Sequence, residues 1–183
     1  VRAAAQLARL HYGALIVIER ETGLQDYADR GVLIDAHLTR QLLINIFYPN
    51  SPLHDAAVLI RDDRILAASV VLPLTDNISP TGQLGPRHRA GIGVTEDSDA
   101  LAVIVSEETG NISVAHNGRL IRNLDQDRLR RVLRTLMRLD RPADRNPTNG
   151  RLHLPGRAGT AQRKVRSSGR RDAESGKSGT PSP

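Results

Sequence analysis

The fold is decided by the stretch Gly-Ala-Leu-Ile-Val-Ile-Glu at residues 13–19, a continuous apolar run that a glycine opens and a glutamate closes. A run of this kind, without alternating polar residues, is typical of a strand buried on both faces of a sheet. Residues 1–11 before it have helix-forming composition. Residues 39–47 after it show the apolar spacing of an amphipathic helix, which Pro49 and Pro52 terminate. Helical segments therefore enclose a buried strand, as in a layered α/β domain.

Further strands and a last helix are predicted downstream. The apolar residues 56–60 and 65–72 flank a charged tetrapeptide, which predicts a β-hairpin. Residues 100–105 predict another buried strand, and an Asn-Gly turn at 117–118 predicts a further hairpin. Residues 125–139 predict a helix whose first residue, an aspartate, is its N-cap. We therefore predict an α/β fold with a mixed central β-sheet flanked by helices on both sides, in a single globular domain.

The 183-residue chain divides by composition into a body, residues 1–140, and a tail, residues 141–183, which is rich in Gly, Ser, Pro and Arg. The tail is predicted to be disordered. It holds ten basic and three acidic residues, whereas the body holds 16 basic and 17 acidic residues, so the formal charge of +6 comes from the tail. Specific nucleic-acid binding needs a basic patch on a folded face, so we expect no specific nucleic-acid partner. The tail alone supports a nucleic-acid interpretation, and it would suit an anionic membrane surface equally well.

What the sequence lacks also excludes several classes of site. The chain has no cysteine, which excludes disulfides and thiolate metal sites. One Phe, three Tyr and no Trp leave a core built from aliphatic side chains. No apolar run reaches the roughly 20 residues that a membrane-spanning helix needs.

A basic tripeptide, Arg87-His88-Arg89, follows a Gly-Pro turn and leads into a predicted helix over residues 87–94. The start of a helix offers free backbone N–H groups and a positive dipole end, which favour a bound anion. Arginine adds forked, permanently charged donors that suit phosphate oxygens. Neither common glycine-rich phosphate-binding pattern occurs in the chain. The pattern indicates an unusual phosphate site, and the alternative is a solvated basic turn.

Two acidic segments lie where predicted strands meet loops. Asp55 directly precedes the strand at 56–60, and Ser106-Glu107-Glu108 follows the strand at 100–105. Taken singly, the aspartate is more often a turn cap and the glutamates a solvated turn. Ligands of open α/β sheets gather at the carboxyl ends of strands, where these groups and the arginines would converge. Together they would suit a metal-bound polyphosphate, with Mg²⁺ or Mn²⁺ on the carboxylates and guanidinium groups on the phosphates.

Four motifs in this order resemble the diadenylate cyclase domain family, at residues 13–21, 42–55, 87–89 and 104–110. The resemblance covers roughly residues 3–138 and is greatest for the membrane-anchored branch. It implies condensation of two ATP molecules into cyclic di-AMP, with release of two pyrophosphates and a divalent metal, Mg²⁺ or Mn²⁺. It also implies a homodimer or higher homo-oligomer, because each facing domain contributes one ATP.

The resemblance implies roles for individual residues as well. Asp55 matches the acidic residue of an Asp-Gly-Ala motif, the catalytic group near the attacking 3′-hydroxyl and the metal. The implied nucleotide-binding residues are Ala56, Leu72, Arg87, His88, Arg89, Ser106 and Glu108. Among these, the tripeptide contacts the triphosphate and Leu72 lines the adenine pocket. The implied metal ligands are His54, Asp55 and Glu108, and the alternative for His54 is a hydrogen-bonded surface group.

Three positions depart from the family pattern. Ala56 replaces the glycine of Asp-Gly-Ala, so its methyl group would crowd a bound nucleotide. Pro86 replaces a threonine and removes a hydroxyl and an N–H donor, and Val71 replaces a tyrosine. We expect nucleotide binding to survive these changes. The alternative to an active cyclase is a catalytically impaired domain that binds ATP or a cyclic dinucleotide and acts as a sensor or scaffold.

The resembled branch also bears on location. Its cyclase domains are cytoplasmic and follow transmembrane helices. We therefore expect a cytoplasmic domain, held at the inner face of the membrane or regulated through an N-terminal region that is missing from this chain.

Overall fold

The computed structural model describes residues 1–76 and 84–139, which form seven strands and five helices. The strands are β1 Ala14–Ile18, β2 Val32–His37, β3 Ala57–Arg61, β4 Arg64–Val70, β5 Leu101–Val105, β6 Ile112–His116 and β7 Arg119–Leu124. The helices are α1 Arg2–Leu10, α2 Gln25–Ala28, α3 Arg40–Ile46, α4 Pro86–Glu96 and α5 Gln126–Leu139. The tail predicted to be disordered, and most of the loop before α4, lie outside the described residues.

The sheet is mixed, as predicted, and β1 lies at its centre. The strand order is β2-β4-β3-β1-β5-β6-β7. β1 runs parallel to β3 and antiparallel to β5, and the other neighbouring pairs are antiparallel. Leu15 and Val17 of β1 are buried on one face while Ala14 and Ile16 are buried on the other. The continuous apolar run is therefore explained by burial of both faces.

Helices cover both faces of the sheet, which confirms the predicted layers. The side chains of α1, α3 and α5 pack on one face, where Leu7, Phe47 and Leu129 are fully buried. α2 and α4 cover the other face with Leu24 and Ile92. Each such aliphatic or aromatic side chain stabilises the fold by about 1.5–3 kcal/mol through removal of apolar surface from water. The aliphatic core expected from composition is thus split into two layers.

Local capping explains where the two predicted amphipathic helices begin. The Thr39 hydroxyl accepts a hydrogen bond from the Leu42 N–H at 3.1 Å, which starts α3. The Asp125 carboxylate accepts one from the Arg128 N–H at 2.7 Å, so the predicted N-cap of α5 is confirmed. Each cap of this kind is worth about 1 kcal/mol.

Two elements between residues 24 and 38 are not predicted by the sequence pattern. β2 is an edge strand, and Leu33 in it is 69% exposed, so it lacks the buried apolar run that marks β1. Its pairing with β4 is also interrupted by a register shift between Leu33 and Ala36. α2 has only four residues, too few for a helical apolar stripe.

The strands begin and end along two opposite sides of the sheet. We call these sides the Gly13 edge and the Glu19 edge, after the residues that directly precede and follow β1. At the Gly13 edge β1, β3 and β6 begin and β4, β5 and β7 end, because Ala14 pairs with Val105 and Ala57 with Val70. At the opposite Glu19 edge each strand has its other end. None of the helices in residues 1–76 and 84–139 has the length and hydropathy of a membrane span.

Candidate active site

A cavity of about 550 Å³ opens at the Gly13 edge, between the start of α4 and the loop that follows β5. Four of the predicted site residues line it: Arg87, His88, Ser106 and Glu108. α4 brings the first two and the turn after β5 brings the others, although about 20 residues of sequence separate them. The basic tripeptide and the Ser-Glu-Glu segment therefore face one volume.

The first turn of α4 is compatible with the proline that replaces threonine. Pro86 occupies the first helical position, where an N–H has no partner within the helix. The Gly85 carbonyl accepts the N–H groups of His88 at 3.0 Å and Arg89 at 3.1 Å. The missing hydroxyl and N–H of Pro86 thus cost the helix nothing, and they matter only for an anion bound at its end.

Arg87 is held against the cavity wall by Gly13 and Glu107, two residues of the sequence motifs for which no site role was predicted. Its Nη1 donates to the Glu107 carboxylate at 2.8 Å. Its guanidinium carbon lies so close to Gly13 that a Cβ there would approach it to 2.7 Å. Among the described residues, the buried Nε of Arg87 has no hydrogen-bond partner. Gly13 and Glu107 therefore fix the position of a partly buried cation that keeps an unused donor.

The surroundings of His88 lower its pKa below the ordinary value, which favours the uncharged ring. Partial burial is the largest cause that lowers its pKa, and the nearby Arg122 guanidinium lowers it further. The Glu108 carboxylate acts in the opposite direction but does not compensate. Arg122, in β7, also lines the cavity, and it could not be found from the sequence because it lies outside all four motifs.

Asp55 lies at the Gly13 edge immediately before β3, but it does not line the cavity. Its side chain is 81% exposed, and its Oδ1 lies 3.4 Å from Nε2 of His54. The other ring nitrogen of His54, Nδ1, lies 2.5 Å from the Ser51 carbonyl oxygen. Because a carbonyl oxygen only accepts, Nδ1 donates in this contact, and Nε2 is the ring nitrogen that faces the Asp55 carboxylate.

The rule that ligands gather at carboxyl ends of strands is wrong for Asp55, which precedes its strand. Asp55 still shares an edge with Ser106 because β3 and β5 run in opposite directions on either side of β1. Two strand spacings, about 10 Å, separate the axes of β3 and β5. The mixed sheet therefore gathers the two acidic segments, at a distance that a nucleotide can bridge.

Three predicted nucleotide-binding residues, Ala56, Leu72 and Arg89, do not line the cavity. Leu72 is 6% exposed and packs into the apolar layer beneath α4. Arg89 turns its guanidinium away and donates to the Thr75 carbonyl at 3.2 Å and 3.4 Å. Their nucleotide contacts stay predictions.

Ala56 has a positive φ of 64°, the left-handed region that favours glycine. A residue with a Cβ pays about 1–2 kcal/mol in this conformation. The expected difficulty at this position was contact with the nucleotide, whereas the structure reveals a backbone cost. The strain is next to Asp55, the residue whose carboxylate the predicted chemistry needs.

The donor set fits a divalent metal only when phosphate oxygens complete the site. Within residues 1–76 and 84–139, no three His, Asp or Glu side chains are grouped closely enough to hold an ion. Asp55 and Glu108 do provide exposed carboxylate oxygens, which hard cations prefer. Mg²⁺ is commonly bound by one or two carboxylates together with substrate phosphates. The predicted ligands thus suit an ion that arrives with a nucleotide.

A family model, curated proteins and solved structures match the part of the chain that contains most of these residues. The family model described as "DisA bacterial checkpoint controller nucleotide-binding" matches residues 1–120. Cyclic di-AMP synthase CdaA of Bacillus subtilis is 47% identical over 127 residues, which are 69% of this chain and 46% of that protein. The chain therefore spans about half the length of the curated relatives it matches.

Solved structures are similar over the same part of the chain. A double mutant of DacA from Staphylococcus aureus matches with a TM-score of 0.71 and 46% identity, covering 73% of this chain and 89% of that one. A protein of Bacillus cereus, described as a hypothetical membrane spanning protein, matches with a TM-score of 0.64 and 47% identity. This match covers 68% of this chain and 61% of the Bacillus cereus protein.

Proposed function

Because this chain belongs to the diadenylate cyclase family of nucleotide-binding domains, we propose that it condenses two ATP molecules into cyclic di-AMP and releases two pyrophosphates. One observation carries the proposal: the Gly13 edge holds Asp55 together with a cavity lined by Arg87, Ser106 and Glu108. A basic wall, a hydroxyl and separate carboxylates are the groups that a triphosphate and its counter-ion require.

The chemistry needs one bond formed and one broken in each of two equivalent steps. The 3′-hydroxyl oxygen of one ATP attacks the α-phosphorus of the other, and the bond from that phosphorus to the pyrophosphate breaks. The hydroxyl proton must leave, and the exposed carboxylate of Asp55 is the group placed to accept it. Positioning of the two nucleotides supplies most of the acceleration, because the attack must be in line.

Arg87 and the start of α4 offset the negative charge of the triphosphate. The guanidinium is already oriented by Glu107 and Gly13, so little side-chain entropy is lost when phosphate binds. His88 adds a hydrogen-bonding ring, and its lowered pKa disfavours a further positive charge beside Arg122. The resulting wall is cationic but rigid, which favours stabilisation of charge that develops on the leaving group.

Family membership implies a divalent metal ion, and we assign it to Asp55 and Glu108, with Nε2 of His54 as a further donor. Mg²⁺ or Mn²⁺ bound there would neutralise phosphate charge and lower the pKa of the attacking hydroxyl. His54 stays oriented for this by the Ser51 carbonyl.

Two copies of the chain are needed for a full reaction. One Gly13 edge holds one ATP, and its 3′-hydroxyl must reach an α-phosphorus held by another edge. We therefore propose that the active species is a homodimer, or a higher homo-oligomer, with the two edges face to face. The exposed position of Asp55 supports this arrangement, since its carboxylate is accessible to a group carried by a second copy.

We place the domain on the cytoplasmic side of the membrane, where ATP is available, with an anchor or regulator in a region outside this chain. The support is the Bacillus cereus neighbour, which is described as membrane spanning. Fractionation of cells expressing the full-length protein tests this placement, which fails if the protein remains in the soluble fraction.

Incubation of the purified chain with ATP and either Mg²⁺ or Mn²⁺ tests the activity, with products separated by chromatography and identified by mass. We expect cyclic di-AMP and pyrophosphate in a 1:2 ratio, no product with a chelator, and a specific activity that falls as the protein is diluted. Absence of cyclic di-AMP at concentrations where sedimentation shows dimers would exclude the cyclase.

One observation favours a second function, a nucleotide-binding sensor or scaffold with impaired catalysis. Ala56 holds a strained backbone directly beside Asp55. Ala56→Gly separates the two functions, because it removes the strain without changing a polar group. A chain that binds ATP but gains cyclase activity only with this substitution is an impaired domain. Equal activity of both forms rules this alternative out.

A further inference from the structure

Arg122 is a cation in the cavity wall that none of the sequence motifs includes. It belongs to β7, an edge strand of the sheet two strands away from β5, and it lines the same cavity as the turn after β5. Its side chain makes no hydrogen bond or ion pair with any of the described residues, in contrast to Arg87. An arginine at a cavity wall with all its donors unused is suited to an anionic ligand.

A β-bulge in β7 includes Arg122 and allows it and Leu124 to lie on opposite faces of the sheet. Ile121 pairs with Val114 and Leu124 with Ile112, so Arg122 and Asn123 lie opposite the single residue between them on β6. Asn123 has a φ of 56°, as expected at an irregular step in a strand. Bulges of this kind re-aim side chains and occur next to functional sites.

The bulge also decides which face of the sheet carries Arg122. Alternation along β7 places Arg122 on the same face as Leu120, which packs into the apolar layer beneath α4. After the extra residue, Leu124 packs into the opposite layer. Arg122 is therefore on the face of α4, whose first turn carries Arg87 and His88. Without the bulge, Arg122 and Leu124 would have to share one face.

The order of the strands orients a nucleotide along the Gly13 edge. Leu72 follows β4, Asp55 precedes β3, Ser106 follows β5, and Arg122 lies in β7, two strands beyond. If the adenine lies near Leu72 and the reacting phosphate near Asp55, the outer phosphates extend past Ser106. That direction leads to Arg122, about 10 Å from β5 at the usual strand spacing.

We propose that Arg122 binds the outer phosphates of ATP, the part released as pyrophosphate, and so distinguishes triphosphates from monophosphates. This rests on the proposed function for the orientation of the nucleotide. It adds a residue outside the four motifs to the site. The guanidinium would contact phosphate oxygens directly.

Calorimetric titration of the full chain with two nucleotides that lack the attacking hydroxyl tests the proposal: 3′-deoxy-ATP and 3′-deoxy-AMP, each with Mg²⁺. We expect Arg122→Ala to lower the affinity for 3′-deoxy-ATP at least about tenfold, which is the range for loss of a hydrogen bond to a charged group. The affinity for 3′-deoxy-AMP should change less than twofold. Arg122→Lys should give an intermediate loss, because it keeps the charge but not the fork.

Arg119→Ala is the matched control, since it removes an exposed arginine from the same strand at the Glu19 edge. It should leave both affinities unchanged. Equal losses for both nucleotides, no loss for 3′-deoxy-ATP, or the same loss in the control would each overturn the proposal. A wild-type chain that binds neither nucleotide overturns it as well. A chain that shows the expected difference but makes no cyclic di-AMP from ATP supports the role of Arg122 and contradicts only the proposed cyclase activity.

Discussion

The Glu19 edge and the Gly13 edge belong to the same strands but use their charges differently. At the Glu19 edge, Glu19 is 8% exposed and accepts hydrogen bonds from Arg61 at 2.5 Å and 3.0 Å and from the Leu24 N–H at 2.8 Å. At the Gly13 edge, Asp55 is 81% exposed and Arg122 makes no hydrogen bond or ion pair with the described residues. Charges satisfied within the chain hold the sheet together, and charges left open at its other end are available to a ligand.

The pKa values at the Glu19 edge reflect this internal pairing. Burial by itself raises the pKa of Glu19, but hydrogen bonds from Arg61 and the Leu24 N–H, with the arginine charge, bring it below the ordinary value. Burial likewise acts to raise the pKa of Asp99, and the N–H groups of Thr22 and Glu21 outweigh it. Both carboxylates are therefore more stable as anions in the folded chain, and each stabilises the fold when ionised.

The largest expected effect is on catalysis at the Gly13 edge. We expect Asp55→Asn to lower cyclic di-AMP formation at least about 100-fold, because the amide neither accepts the proton nor binds the metal as a carboxylate does. Thermal unfolding should be unchanged, since an exposed side chain contributes less than about 0.5 kcal/mol.

Asp63→Asn provides the matched control at the Glu19 edge. Asp63 is also exposed and also lies beside a histidine, at 3.6 Å from Nδ1 of His37. Its replacement should preserve activity. If it reduces activity as much as Asp55→Asn does, the two edges do not differ as described.

The converse effect is expected at the Glu19 edge. Glu19→Gln should lower the free energy of unfolding by about 2 kcal/mol, because it weakens hydrogen bonds to a charged, largely buried group. Activity per folded molecule should persist. The pKa of Glu19 is lowered in the folded state. The wild type therefore has its full excess in free energy of unfolding over Glu19→Gln above the ordinary pKa of 4.5, and it loses this excess as pH falls through the folded-state pKa.

Denaturant unfolding between pH 3 and pH 7 measures this difference, with Glu21→Gln as the control because Glu21 is exposed. If the difference in free energy of unfolding between wild type and Glu19→Gln grows as the pH falls, ionised Glu19 does not stabilise the fold as described.

A smaller effect should follow from crowding Arg87. Gly13→Ala places a Cβ about where the guanidinium lies, with 2.6 Å to Nη1 and 2.7 Å to the central carbon. The flexible side chain can move, so the fold survives, but Arg87 leaves its position. We expect the affinity for 3′-deoxy-ATP to fall about tenfold, as for loss of a charged hydrogen bond.

Gly23→Ala is the control for Gly13→Ala, because a Cβ at Gly23 meets no atom within 4 Å. Calorimetry on both variants tests the contact. Unchanged affinity in Gly13→Ala would show that the position of Arg87 does not matter for nucleotide binding.

The smallest effect concerns backbone strain. Ala56→Gly should raise the free energy of unfolding by about 1 kcal/mol, because glycine adopts the φ of 64° without a steric cost. Ala57→Gly, one residue later in a buried strand, should instead lower it by about 1 kcal/mol. Denaturant midpoints of the two variants decide the matter, and a shift in the same direction for both would exclude strain at residue 56.

Sequence predicted the central strands well because burial on both faces leaves a local pattern. β1, β3, β4 and β5 all carry apolar runs, and the predicted hairpins and the predicted N-cap at Asp125 are confirmed. β2 was missed because an exposed, bulged edge strand has no such run. Local composition therefore specifies the middle of the sheet better than its border.

The site was predictable only where it consists of contiguous motifs. Arg87, His88, Ser106 and Glu108 come from two such motifs, and they do share one cavity. The role of Gly13 depends on a side chain more than 70 positions away, and no local pattern reveals that contact. Arg122 depends on a bulge, which arises from pairing with β6 and leaves no mark in composition.

The candidate residues at the Gly13 edge lie in or next to five strands: β1, β3, β4, β5 and β7. The site is therefore complete only when these strands have paired. An N-terminal fragment ending before β5 would carry Asp55 but neither Ser106 nor Glu108. During synthesis, the proposed ATP binding would therefore wait until nearly the entire domain has left the ribosome. A bound nucleotide would protect all the strands from proteolysis together, because it binds the native state and not the unfolded chain.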